Sequence, residues 1–99
     1  MKAKTERFKS AQDLGKALGL SDVEMELIRQ KKRLIQRLID TRRKKGLSQA
    51  EVAELLGSKQ PAIARMESGQ VGQVSMDFLL RAALVLGISV TIKAMKVAA

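Results

Sequence analysis

The chain has no cysteine, histidine, tryptophan or tyrosine, and only two phenylalanines and one proline. Without thiols there is neither a disulfide framework nor a thiolate metal site. Without imidazole the commonest other transition-metal ligand is missing too. No metal or other cofactor is expected. Acid-base or nucleophilic chemistry would fall to carboxylates, serine or lysine. The close carboxylate pairs, Glu24 with Glu26 and Glu51 with Glu54, read as solvated helix faces. The nearest approach to a phosphate loop, Gly57-Ser-Lys59, lacks the upstream glycine and the preceding strand of a nucleotide site. The chain is not expected to be an enzyme. Long apolar runs are also missing. The longest, Ala82 to Val90, is too short to span a bilayer, and the opening MKAKTERFKS has no apolar stretch behind its charges. The expectation is a cytoplasmic protein without a membrane partner.

What is present is aliphatic and basic. Of 99 residues, 45 % are hydrophobic, enough for one core built from Leu, Ile, Val, Ala and Met, which suits helix packing. The net charge is +9 and is unevenly placed: residues 1–46 carry 14 Lys/Arg against 6 Asp/Glu, and residues 47–99 carry 5 against 4. A basic surface concentrates polyanions and gains from counterion release, so nucleic acid is the leading partner class. A merely lysine-rich, solvated helix is the plainer alternative that charge leaves open.

Residues 1–9 show no period and read as an arm. Ser10 can cap a short helix over Ala11 to Leu18, stopped by Gly19. Ser21 and Glu24 form a capping box that starts a helix near Asp22. Its apolar positions Val23, Leu27, Leu34, Ile35, Leu38 and Ile39 keep helical spacing, and Gly46 closes it. Ser48 can cap a short helix with Val52, Ala53 and Leu56 on one face, ended by Gly57. A second short helix follows, with Ile63 and Met66 inward, Pro61 in its first turn and Gly69 as its stop. Ser75 caps a helix from Met76 to Leu86. After Gly87, the alternation of Ile88, Val90 and Ile92 with Ser89, Thr91 and Lys93 has the period of a strand over about residues 88–97. A lone strand needs a partner, and the same strand of a second subunit is the obvious one.

Two short helices joined by a tight turn make a helix-turn-helix pattern. Setting Ile63 and Met66 inward at about 100° per residue turns Pro61, Arg65 and Ser68 outward. Arg65 can donate twice to guanine, Gln60 can pair with adenine, and Pro61 and Ala62 can touch a thymine methyl. Ordinary solvated side chains are the alternative reading of Gln60 and Arg65.

The run from Leu47 to Gly69 carries Leu-Ser-Gln, Ala-x-x-Leu-Gly and Ile-x-x-x-Glu-x-Gly elements in order. It resembles the XRE family of lambda-repressor-like DNA-binding domains over about residues 34–88. The resemblance implies an all-α fold of five helices. Val52 to Gly57 would back onto DNA and Gln60 to Ser68 would be the recognition helix. It also implies a phosphate clamp at Gln49, with Ser68, Lys59 and Arg43 as further phosphate contacts, and a structural ion pair between Arg42 and Glu67. Two unrelated exposed charges are the alternative reading of that pair. Lys59 departs from the Ser or Thr usual at the recognition-helix cap. The expected organisation is an N-terminal arm and short helix over residues 1–20, then a helix-turn-helix domain over 21–99 with its core at about 48–69.

The texture of Phe8-Lys-Ser-Ala, of Leu20-Ser-Asp-Val-Glu-Met-Glu-Leu and of Val-Thr-Ile-Lys is similar to antitoxins of the HigA kind. That resemblance implies a homodimer on a double-stranded operator, repression of its own operon and neutralisation of a RelE-like ribonuclease toxin. A stand-alone regulator shares the same DNA chemistry. A basic module that docks RNA or protein without reading sequence is a third possibility.

Overall fold

A computed structural model of the chain describes residues 21–92. The expected arm and the short helix over Ala11 to Leu18 lie outside the described residues. Helix α1 spans Asp22–Lys44. It starts at the capping box: the Ser21 hydroxyl accepts from the Glu24 amide at 3.0 Å, and the Ser21 amide donates to the Glu24 carboxylate at 2.9 Å. Acidic residues in its first turn and Arg42, Arg43 and Lys44 in its last complement the helix dipole.

Helix α2 covers Gln49–Leu56, α3 covers Gln60–Glu67, and α4 covers Met76–Val85, with a three-residue 3₁₀ turn at Val71–Gln73 between the last two. Each of these three helices starts from an extended residue: Ser48, Lys59 or Ser75.

The core is aliphatic, as composition demands. Ile35 and Leu38 of α1 meet Val52, Ala53 and Leu56 of α2, Ile63 and Met66 of α3, and Leu79, Ala82, Ala83 and Leu86 around α4, with Val74 from the connecting segment. Among the described residues no polar or charged residue is fully buried. Ala53 lets α2 and α3 approach closely, and Gly57 turns the chain between them. Gly57 has φ +67°. The Ser58 amide donates back to the Ala53 carbonyl at 2.8 Å and the Gly57 amide to Glu54 at 3.1 Å, a pair of bonds that requires a left-handed residue and therefore favours glycine.

The structure adds to one reading and corrects another. Val23 and Leu27 keep helical spacing but are 78 % and 44 % exposed, because α1 runs on past the edge of the core that α2, α3 and α4 form. Met25, a half-turn away, is buried instead, outside that cluster. The C-terminal strand expected over about 88–97 is not formed in its described part: Ile88 packs on the core, and residues 88–92 carry no strand, with Val90 and Ile92 exposed. Alternation supplies a strand with a face, but only a ladder partner makes it a strand, and no described segment offers an edge. Residues 93–97 lie outside the described residues.

Candidate nucleic-acid interface

Helices α2 and α3 are each eight residues long and are joined by three residues, so α3 leans on α2 along one face and leaves the other bare. Ile63 and Met66 hold the inner face. Gln60, Pro61, Arg65 and Ser68 lie exposed on the outer side, with Ala62 half-buried beside them. Pro61 sits in the first turn, where its missing N–H would have had no helical acceptor. Lys59 precedes α3 in extended geometry and makes no side-chain cap, so its ammonium is exposed. The Ser68 hydroxyl is turned back onto the Arg65 carbonyl at 2.7 Å.

Beneath this face runs a connected polar chain. Arg42, in the last turn of α1, donates through Nε to Oε2 of Glu67 at 2.6 Å and through a second nitrogen to Oε1 at 2.9 Å. Its third contact is to the Leu47 carbonyl at 2.8 Å. The guanidinium fork thereby ties together α1, the loop before α2 and the end of α3. The side chains of Arg42 and Glu67 are only 12 % and 8 % exposed. Burial on its own would push the Glu67 carboxyl up. Hydrogen bonds from Arg42 and Gln49, with the charges of Arg42 and Arg43, outweigh it and hold the carboxyl below its ordinary value. The same hydrogen bonding raises Arg42.

The chain continues outward. Gln49 Nε2 donates to Glu67 at 2.9 Å, and Gln60 Nε2 donates to Gln49 Oε1 at 2.6 Å. Each amide nitrogen carries two hydrogens. Gln49 therefore keeps one donor free, and Gln60 keeps one donor and its oxygen, the pair needed against adenine N7 and N6. The first residue of α3 is thus aimed by a network that begins at a half-buried carboxylate. Arg43 is exposed next to Arg42, and its side chain has no hydrogen-bond partner among the described residues.

Sequence reasoning singled out Gln49 and Gln60 separately, and Arg42 with Glu67 as a pair. It missed that the two glutamines bond each other and that Gln49 reaches Glu67. It also missed Lys31, whose ammonium reaches the turn after α3. The one signal available was a lysine on the apolar side of α1.

Among the described residues there is no cluster of acidic side chains able to hold a metal ion, and no helix long and apolar enough to cross a membrane. No curated protein matches the chain. A solved structure described as a toxin-antitoxin module from Streptococcus pneumoniae is similar in sequence and fold: 27 % identity, TM-score 0.60, with 94 % of this chain and 100 % of that one covered. Residues 10–95 match the family described as the helix-turn-helix domain, so this chain, in which α2 and α3 form the paired helices, belongs to the helix-turn-helix domain family.

Proposed function

We propose that the chain is a sequence-specific DNA-binding transcription regulator whose helix α3 enters the major groove. The observation that carries this reading is the polar chain from Arg42 through Glu67 and Gln49 to Gln60, which orients donors and acceptors on an otherwise unoccupied helix face. Gln60, Pro61, Ala62 and Arg65 contact base edges, Arg65 by its fork to guanine and Gln60 to adenine. Gln49, at the N-terminus of α2, holds a phosphate with its remaining donor and the positive helix end. Lys59, Ser68 and Arg43 add sequence-independent phosphate contacts, while Arg42 and Glu67 act structurally.

The regulator works as a homodimer in the cytoplasm, its two reading helices about 34 Å apart on a pseudo-palindromic operator. The exposed Leu84, Val85, Val90 and Ile92 near the end of α4 support a self-association surface there. Likeness to a toxin-antitoxin module, together with the resemblance to XRE-type antitoxins of the HigA kind, supports an antitoxin that represses its own operon and neutralises a RelE-like ribonuclease. No catalytic step is assigned to it.

The test is selection of duplexes from a random pool at near-physiological salt, followed by titration of the winner against scrambled DNA. A palindromic winner preferred by about a thousandfold or more is expected. Binding that shows no motif and fades steeply with salt would instead make the basic outer face of α1 a general polyanion surface.

A further inference from the structure

At about 100° per residue, Lys31 falls on the same side of α1 as Leu27, Leu34, Ile35 and Leu38, where the amphipathic period asks for an apolar side chain. Its ammonium is half-buried and meets no carboxylate. It donates instead to two backbone carbonyls, Val74 at 2.7 Å and Val71 at 3.2 Å. Withdrawing an ammonium from water costs free energy even when two of its three donors are used. An apolar side chain would close this edge of the core without that cost. A local rule broken at some cost points to a constraint other than packing.

What the ammonium holds is the segment leaving α3. The turn Val71–Gln73 is three residues long, and Gln70 provides no side-chain cap. The Val74 carbonyl accepts from no other described group. The Val71 carbonyl has one further contact, a long bond of 3.4 Å from the Val74 amide. Val74 is buried in the core and Val71 packs against it, so apolar side chains and the ammonium pin the segment together. Gly72 and Gln73 are left outermost.

Gln73 then forms one wall of an open groove of about 250 Å³, with Ala62 and Arg65 of α3 on the other wall and Ser75 and Phe78 at the start of α4. The side-chain amide of Gln73 has no partner among the described residues, while its backbone amide donates to the Gln70 carbonyl at 3.0 Å. A guanidinium and a free amide thus face one groove from two separate segments. One of those segments is held by its own backbone hydrogen bonds and also by a lysine 40 positions away from Val71.

We infer that Gln73 is a specificity-determining residue and that Lys31 is the positioning residue that presents it. Gln73 reads a base pair next to the one Arg65 reads, through the donor and acceptor of its amide. This inference rests on the DNA-reading role proposed for α3. Lys31 acts through Gln73 and not on a base: two of its three ammonium donors are engaged with the Val71 and Val74 carbonyls.

The experiment repeats duplex selection with the full chain as wild type, Arg65→Ala, Gln73→Ala, Lys31→Met and the Gln73→Ala/Lys31→Met double variant, with Tm measured for each. Gln73→Ala flattens preference at one base pair by roughly tenfold or more. That pair adjoins the one lost in Arg65→Ala, and the Tm is unchanged. Lys31→Met flattens the same pair although Gln73 is present, and the double variant loses nothing further there.

An unchanged motif for Gln73→Ala overturns the inference while leaving the DNA-reading proposal standing. A Lys31→Met loss spread evenly over all sequences reduces Lys31 to stability alone and overturns its positioning role. No motif from the wild type removes DNA reading and this inference with it. The Gln73 side chain is exposed and unpaired among the described residues, so its variant keeps the fold and its arm decides the matter even where Lys31→Met unfolds.

Discussion

Helices α2 and α3 have the same length and stand side by side, yet they are held by opposite means. Helix α2 carries its own instructions. The Ser48 hydroxyl accepts from the Glu51 amide at 3.0 Å, the Glu51 carboxylate accepts from the Ser48 amide at 2.7 Å, and Gly57 closes the far end. Helix α3 has no side-chain cap, a proline in its first turn and no acidic residue there. Isolated helices of this length are unstable in water even with good caps. Helix α3 therefore takes its position from outside: Ile63 and Met66 in the core, Glu67 on Arg42 at one end, Gln60 on Gln49 at the other. A helix anchored through its inner face and its ends leaves its outer face free to be matched to a ligand.

The largest break in that contrast comes from Glu67→Ala, which strands a half-buried guanidinium and the Gln49 amide together. About 2 kcal/mol of stability is expected to go, less than for a fully buried pair because the outer edge of this one meets water. Chemical denaturation measures it, and a loss within a few tenths of a kcal/mol would mean that the ion pair does not anchor α3.

The same carboxylate sets a pH dependence. Its folded value lies below its ordinary value of 4.5, so the stability it contributes is fully present above that ordinary value and is lost as pH falls through the lower folded one. Glu67→Gln should make the acid side of the stability curve shallower, and an unchanged curve would contradict this.

Smaller effects sharpen the comparison. Ser48→Ala removes one side of the capping box and costs about 1 kcal/mol, because α2 depends on local signals. Lys59→Ser restores a capping hydroxyl to α3 at an extended residue. It should raise stability by about 0.5 kcal/mol while weakening binding to all DNA sequences alike. Equal stability of Lys59→Ser and wild type would show that α3 gains nothing from local capping.

The same division explains what could be read in the sequence. The Ser21–Glu24 box, the Ser48 and Ser75 caps, the stops at Gly46 and Gly57 and the inward set Val52, Ala53, Leu56, Ile63 and Met66 are all local or periodic, and each stands out within a few residues. Glu51, read from its spacing to Glu54 as part of a solvated face, is exposed and is also the second half of a capping box. Its partner lies three residues upstream, so the signal was there.

The remainder depends on where other elements end. Val23 and Leu27 keep the right period beyond the edge of the core. Ile88, Val90 and Ile92 alternate without a ladder partner among the described residues. The Gln49–Gln60 bond and the hold of Lys31 on Val71 and Val74 join positions 11, 40 and 43 apart, and no spacing rule links such positions.

The central claim is that the outer face of α3 reads DNA sequence, and Arg65→Ala tests it most directly. Arg65 is exposed and its side chain bonds no described residue, so its removal should leave Tm unchanged. Titrated against the selected operator and its single-base variants, Arg65→Ala should lose about 1–3 kcal/mol of discrimination at one base pair in each half-site and keep its preferences elsewhere. An operator bound as tightly and as selectively as by the wild type would contradict the assignment of α3 as the reading helix.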